Sequence, residues 1–362
     1  MIIDFVLQFV EGHGGVETVL ALISQELVRR GHHVRIFQSA QPFYLEWLRE
    51  IPEIYYYDPL LTGYSRSYNG EIDAFRFALG YRALLDKLIY PDIAIATMAP
   101  LQSAVCRLAL SSLGSQRPPI ISWMHGPIEA YGAGNLLKYS DAHFAISTPI
   151  AQQIHQLFPV TAPIYYIRNP IDTREVKRIP RAVDCLELLY MGRLHNQVKR
   201  VDVLLKSLPR LRGKWHLTII GDGPDKEELK SLADELALSQ NVTWLDWRNQ
   251  PWNAISEASL LALTSDSEGF GLVAGEALAR GIPVIATKCG GPEDIIKHGI
   301  NGWLFPPGDS RALTAILQKI LDRDYALPNP ETCELSIQAF RPKNVVDSME
   351  KAISYTRTFF TP

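Results

Sequence analysis

Cysteine is scarce in this chain of 362 residues: four in all, Cys106, Cys185, Cys289 and Cys333, far apart and with no Cys-x-x-Cys pair. That argues against a zinc knuckle or a disulfide framework and fits a reducing cytoplasm. An excess of positive charge is also missing. Lys and Arg number 36 against 39 Asp and Glu, for a formal net charge of −3. A nucleic-acid partner, which needs a basic face, is therefore not expected. No apolar run approaches the length of a membrane-spanning helix. Met1 leads straight into Ile2-Ile3-Asp4-Phe5-Val6-Leu7 without a basic segment, which reads as a first strand and not as a signal peptide. Low-complexity sequence is absent, and 47% hydrophobic residues are ample for packed cores. The length suits two domains or three.

What is present is a recurring order of short apolar strand, glycine loop and helix. Residues 2–10 read as a buried strand and Glu11 to Gly15 as the loop after it. Val16, Val19, Leu20, Ile23 and Leu27 then share one helical face, and that helix ends at Gly31. Val34 to Phe37 is the next strand, which makes a Rossmann-like half. After Gly12 and Gly14 the third glycine position holds Glu17, so the dinucleotide fingerprint fails and NAD is not indicated. On the residues alone this loop serves equally as a tight turn or as an anion cradle. Tyr55 to Tyr57 reads as a strand and Tyr64 to Gly70 as an exposed loop. Asp92 to Thr97, Ile120 to Met124, His143 to Ser147 and Ile164 to Ile167 read as further buried strands. His125 stands before Gly126 at a strand end, placed either to pack or to reach a ligand. Arg168 to Asp172 reads as a turn between domains, and the polar run to Arg181 as a linker.

The second half repeats the architecture without repeating a motif. Leu186 to Met191 is a strand that ends in Gly192-Arg193, with Lys199-Arg200 before a helix carrying Val201, Val203, Leu204 and Leu208. Arg193 and Lys199 would project from one crevice edge. A guanidinium is a fixed fork and an ammonium a mobile point charge, so the pair can cover a pyrophosphate without a metal. Arg200 receives no role. Trp215 to Ile220 is a strand before Gly221-Asp222-Gly223, another G-x-G that fails, with Lys226 at the third position. Asn241 to Leu245 follows. Trp247 and Trp252 either stack on a base or sugar or, as is commoner for tryptophan, pack in the interior.

The most informative stretch runs from Ser265 to Ala277, through Glu268-Gly269-Phe270-Gly271-Leu272 to Glu276. Leu260 to Thr264 before it reads as a buried strand, and a helix from Leu272 stops at Gly281 and Pro283. Backbone N–H groups at such a helix start attract anions. Two carboxylates, Glu268 and Glu276, lie in the same place. Neither suits a phosphate, so each should face hydroxyls. A ligand with hydroxyls at both ends and phosphates between them is a nucleotide sugar. Further on, Pro283 to Thr287 and Gly302 to Phe305 read as strands and residues 310–321 as an amphipathic helix. Val345, Val346, Met349 and Ile353 mark a last one.

On this motif the sequence resembles the retaining glycosyltransferases of family 4. Within that family the likeness is to the lipopolysaccharide core 1,6-galactosyltransferases. It is carried by Ser122-Trp123-Met124-His125, Ala145-Ile146-Ser147, Asn169-Pro170, Gly192-Arg193-Leu194, the run Trp215 to Gly223, and Pro251-Trp252. The resemblance implies an α/β chain of GT-B fold: two Rossmann-like domains facing across a cleft, with the C-terminal helix crossing back to the first. The implied domains are residues 1–170 for the acceptor, with the returning helix at 341–362, and residues 183–335 for the donor. It implies that Glu268 holds the donor sugar and Glu276 the ribose. Arg193 and Lys199 match the phosphate-binding pair, and His125 touches the sugar. Gly14, Gly15, Gly221, Gly269, Phe270, Gly271 and Leu272 line the donor.

The implied reaction moves a hexose, galactose or glucose, from a UDP-sugar to a hydroxyl of a cell-surface glycan or glycolipid precursor such as lipopolysaccharide core, with retention. Arg193, Lys199 and the N–H groups of Gly269 to Gly271 would stabilise the departing UDP more in the transition state than before it. No cofactor and no metal are expected. Asp322-Arg323-Asp324 has the Asp-x-Asp spelling of metal-dependent enzymes but follows a peripheral helix, and Asp266-Ser267-Glu268 is only a partial lookalike. The expected location is cytoplasmic, with peripheral contact at the inner face of the membrane. Two alternatives stay open: a sugar-nucleotide epimerase of the same fold, and a non-catalytic UDP-sugar-binding partner of another transferase.

Overall fold

The computed structural model describes residues 1–58, 70–157, 162–174 and 176–360. It divides into two compact units, Met1–Pro170 with Phe340–Pro362, and Ile171–Ala339. The first unit is a seven-stranded sheet in the order β3-β2-β1-β4-β5-β6-β7. Its strands are β1 (Ile2–Val6), β2 (His33–Gln38), β3 (Ile54–Tyr56), β4 (Ile93–Met98), β5 (Ile120–Met124), β6 (Ala142–Ala145) and β7 (Ile164–Tyr166). Every pairing is parallel. Helices therefore cover both faces, and β4 to β6 are apolar and buried nearly throughout instead of alternating.

The first strand is shorter than the apolar run suggests. Residues 7–10 leave the ladder after Leu7 N–H donates to Phe37 O at 2.9 Å. They stay largely buried because the Gln38 amide donates to the carbonyls of Val10, at 3.2 Å, and Ala40, at 2.6 Å. The helix Gly15–Arg29 follows, and Gly31 has a φ of +87° just beyond it, the left-handed conformation that ends helices. A helix at Gly70–Leu85 was not legible in the sequence. It carries Gly80 in its interior, where a Cβ would lie 1.9 Å from Tyr57 O. Close packing under β3 thus requires the residue that weakens the helical signal. The loop expected at Tyr64 to Gly70 lies outside the described residues, except that Gly70 opens this helix.

The last helix, Pro342–Phe360, belongs to the first unit. It buries Val345, Val346, Met349 and Ile353. Arg30 pairs with Asp347 at 2.7 Å and Glu350 at 2.6 Å, and Arg357 with Asp92 at 2.9 Å.

The second unit is a six-stranded parallel sheet in the order β10-β9-β8-β11-β12-β13. Its strands are β8 (Leu186–Met191), β9 (Trp215–Ile220), β10 (Val242–Leu245), β11 (Leu260–Leu263), β12 (Val284–Thr287) and β13 (Gly302–Phe305). Leu188, Leu204, Leu217, Ile285, Phe305 and Leu317 stand in its core. The polar run before β8 is not loose. Ile171 and Ile179 are buried, Ile179 N–H donates to Arg280 O at 3.0 Å, and Arg181 donates to the carbonyls of Gly281 and Pro328. A segment read as a linker is therefore pinned to the second unit by backbone acceptors at Arg280, Gly281 and Pro328, which composition cannot reveal.

Candidate active site

In the second unit the chain leaves β8 toward β9 and β10, then returns to β8's other side with β11. That is a topological switch point, and ligands of open α/β sheets bind outside the carboxyl ends of the strands there. The loop after β8 and the loop after β11 flank it, and hydrogen bonds tie them together. Asp266 N–H donates to Val198 O at 2.8 Å, and Thr264 Oγ1 to Lys199 O at 3.1 Å. Arg200, which received no role from the sequence, is the strut. Its backbone is left-handed, with φ 49°, a cost of about 1–3 kcal/mol. Its guanidinium donates to Asp202 at 3.0 Å and to Asp266 at 2.8 Å.

This scaffold brings Lys199 and Glu268 into contact. Lys199 Nζ lies 2.6 Å from Glu268 Oε1, and Ser265 Oγ donates to the same oxygen at 2.7 Å. Ser265 is fully buried, and its carbonyl accepts from Thr287 Oγ1. Both donors converge on Oε1, and no described protein group takes Oε2. Expected to serve separate parts of a ligand, Lys199 and Glu268 instead neutralise each other across the loop. Arg193 is exposed and its side chain has no partner among the described residues; its carbonyl accepts from Tyr190 Oη at 3.0 Å.

Behind Glu268, a second glycine loop packs tightly. A Cβ on Gly291 would lie 2.2 Å from Phe270 Cα and 2.6 Å from Gly269 O. Phe270 is buried. Gly271, with φ 85°, caps the helix Leu272–Ala279 without any side-chain cap, so its first N–H groups remain open to an anion. Burial pushes the Cys289 thiol up to about 12, which keeps it protonated beside this loop.

Glu276 sits in that helix. The Trp252 indole donates to its Oε2 at 2.8 Å. Arg280 lies 4.4 Å from the centre of the Trp252 ring and donates to Glu276 O at 2.9 Å. Trp252 is thus buried, while Trp247 is 43% exposed. Gly221 has a packing reason of its own: a Cβ there would lie 2.1 Å from Gly192 O. Sequence reasoning gave no role to Ser265 or Arg280, and it weighed Trp252 only as a stacking or interior residue, not as a partner of Glu276. Ser265 opens the motif stretch and could have been found as a small donor at a buried strand end. Arg280 stands four residues after Glu276 at the end of the same helix, a spacing the sequence shows, whereas Trp252 reaches Glu276 through space from 24 residues away.

In the first unit, Gly14 and Gly15 are exposed at the start of the helix Gly15–Arg29, which also lacks a side-chain cap. Glu17 folds back, and its Oε1 accepts from Gly12 N–H at 3.0 Å. His125 follows β5 and lies against Trp123, ring centres 4.3 Å apart. Both of its ring nitrogens are buried without a hydrogen-bond partner among the described residues. Burial pushes its pKa down to about 3, so the imidazole is neutral at pH 7.

Comparison with known proteins bears on this geometry. A model described as Glycosyltransferase Family 4 matches residues 13–175, and one described as Glycosyl transferases group 1 matches residues 172–334. The lipopolysaccharide 1,6-galactosyltransferase of Escherichia coli (strain K12) is 32% identical over 242 residues, 65% of this chain and 67% of that enzyme. The chain belongs to the GT-B glycosyltransferases. This glycosyltransferase is also similar to the structure of the apo lipopolysaccharide outer core galactosyltransferase WaaB, with a TM-score of 0.84 at 28% identity, covering 98% of this chain and 99% of that one. The Anabaena protein Alr3699/HepE, solved with UDP-glucose, shares the fold at 19% identity and a TM-score of 0.76, covering 97% and 99% of the two chains. Among the described residues of the glycosyltransferase, no helix is long and apolar enough to cross a membrane.

Proposed function

We propose that this glycosyltransferase moves a hexose, galactose or glucose, from a UDP-sugar to a hydroxyl of a cell-surface glycan or glycolipid precursor such as lipopolysaccharide core, with retention at the anomeric carbon. The observation that carries the reading is the Lys199–Glu268 contact of 2.6 Å at the switch point, beside the open helix start at Leu272. It joins a cation for phosphate to a carboxylate for sugar hydroxyls within one loop pair. The relation to a lipopolysaccharide galactosyltransferase supports the acceptor class, and the UDP-glucose complex of the Anabaena protein supports the donor class.

In this reading the phosphates take Lys199 from Glu268 and meet Arg193 and the N–H groups from Gly269 to Leu272. These donors strengthen as charge builds on the departing UDP. Glu268 Oε2 accepts from a hydroxyl of the sugar, near the centre where positive charge develops. Glu276 accepts from the ribose hydroxyls. His125 offers a neutral imidazole to the sugar, and Gly14, Gly15 and Gly221 line the ligand. The leaving phosphate itself assists deprotonation of the acceptor on the same face, since no carboxylate is assigned as a covalent nucleophile. The cationic pair supplies the charge that a metal would otherwise bring, so the reaction proceeds without one. Contact with the inner membrane face through basic and aromatic side chains of the first unit completes the proposal.

A panel of UDP-hexoses and other nucleotide sugars, read by thermal shift and by hydrolysis, tests the donor. A ligand at a hundred times its Kd stabilises by about 2.7 kcal/mol. Stabilisation by a GDP- or ADP-sugar alone overturns it. Activity lost to EDTA and restored by Mn overturns the metal-free reading. Failure to sediment with anionic vesicles at low salt overturns the membrane contact.

A further inference from the structure

We infer that Trp252 is a positioning residue for the ribose end of the donor: its indole N–H holds one oxygen of Glu276 so that the other is presented to the ribose hydroxyls. The inference rests on the proposed role of Glu276. Its geometric basis is independent of that role. Trp252 Nε1 donates to Oε2 at 2.8 Å, and no described protein group takes Oε1. Trp252 is only 9% exposed. Its ring carries the Arg280 guanidinium at 4.4 Å, and Arg280 also donates to the Glu276 carbonyl at 2.9 Å. Indole, carboxylate and guanidinium thus lock one another across the helix Leu272–Ala279 and the turn Pro251–Ala254.

The same device appears at Glu268, where Lys199 and Ser265 both bind Oε1. Each carboxylate of the motif is held by one oxygen and left open at the other. A carboxylate that is free to rotate must lose that freedom on binding; one already held does not. A vicinal diol that donates two hydrogen bonds to a fixed oxygen gains most from this. Trp252 therefore acts on discrimination between nucleotides with and without ribose hydroxyls.

The test compares UDP with 2′,3′-dideoxy-UDP by calorimetry in the full chain, in Trp252→Phe and in Glu276→Ala. Phe keeps a ring for Arg280 and removes only the N–H. Wild-type protein is expected to prefer UDP, and Glu276→Ala to lose most of that preference. Trp252→Phe is expected to reduce it roughly ten-fold, as loss of one charge-assisted hydrogen bond would. If Trp252→Phe weakens both nucleotides equally, or neither, while Glu276→Ala abolishes the preference, Trp252 has only a packing role and the inference fails alone. If Glu276→Ala leaves the preference intact, the ribose reading fails as well. Should Trp252→Phe not fold, the indole N–H resonance of Trp252 in the unmutated 15N-tryptophan-labelled protein replaces it. That resonance is expected to move with UDP and much less with the dideoxy analogue; equal shifts overturn the inference.

Discussion

The loop after β1 and the loop after β11 share a description. Each follows a buried parallel strand, carries glycines and a glutamate, and opens a helix that has no side-chain cap. Their glutamates serve different ends. Glu17 lies three residues into its helix and turns back, and its carboxylate accepts from Gly12 N–H at 3.0 Å. That is the reach of an N3 acid toward the residues before a helix. Among the described residues no cation pairs with it. Glu268 lies three residues before the cap Gly271 of its helix, and meets a cation at 2.6 Å and a buried hydroxyl at 2.7 Å. The position of the acid relative to the helix start separates one that bonds only within its own loop from one that also meets a cation brought by another segment. Glycine spelling does not.

The largest effect is expected from removing Lys199, the cation that the segment after β8 brings to Glu268 of the loop after β11. Lys199→Ala leaves Glu268 beside the phosphates with no counter-charge. UDP affinity should fall roughly ten-fold and turnover by more than about a hundred-fold. Calorimetry alongside initial rates reads both, and the affinity loss should be steeper at low ionic strength.

Glu268→Gln comes next. It keeps the shape, loses the charge and frees Lys199, so UDP affinity should hold or tighten while turnover falls about ten- to a hundred-fold. If this variant weakens UDP as much as Lys199→Ala does, Glu268 does not face the sugar.

Acid should loosen the first unit around β5 and β6. Burial pushes His125 down to about 3 and His143 down to about 4, from an ordinary 6.5. Below pH 6.5 the unfolded chain takes up protons that the folded chain refuses. Their contribution to stability is therefore complete above that pH and is lost as pH falls toward 3. Asp4 acts in the opposite sense: burial raises it to about 6, which offsets part of the loss. Hydrogen exchange at pH 7 and pH 4.5 checks this, and unchanged protection in β5 and β6 would contradict it.

The smallest change belongs to Glu17→Gln. The amide oxygen still accepts from Gly12 but without charge, so stability should fall by about 1 kcal/mol. Turnover should drop by less than about three-fold, a size that denaturant titration and rate assays resolve. A loss as large as that of Glu268→Gln would erase the distinction between the two loops.

Strand positions, the two Rossmann-like halves and the stretch Ser265 to Ala277 as a strand–loop–helix motif were legible in the order of residues, while the return of the last helix to the first unit came from the family resemblance. Buried parallel strands are continuous apolar runs, and the motif is contiguous, so local pattern carries them. The helix Gly70–Leu85 was not legible, because Gly80 answers to the Tyr57 carbonyl just past β3 and not to helix propensity. Neither was the function of Arg200: Asp202 is a local partner, but Asp266, 66 residues away, becomes its neighbour only when β8 and β11 pair. Composition and periodicity settle which segments are buried, because burial of apolar area has no direction. Which oxygen of Glu268 meets Lys199, and that an indole 24 residues away holds Glu276, depends on hydrogen bonds a few ångströms long between distant segments. Such bonds exist only once the sheet has set those segments side by side.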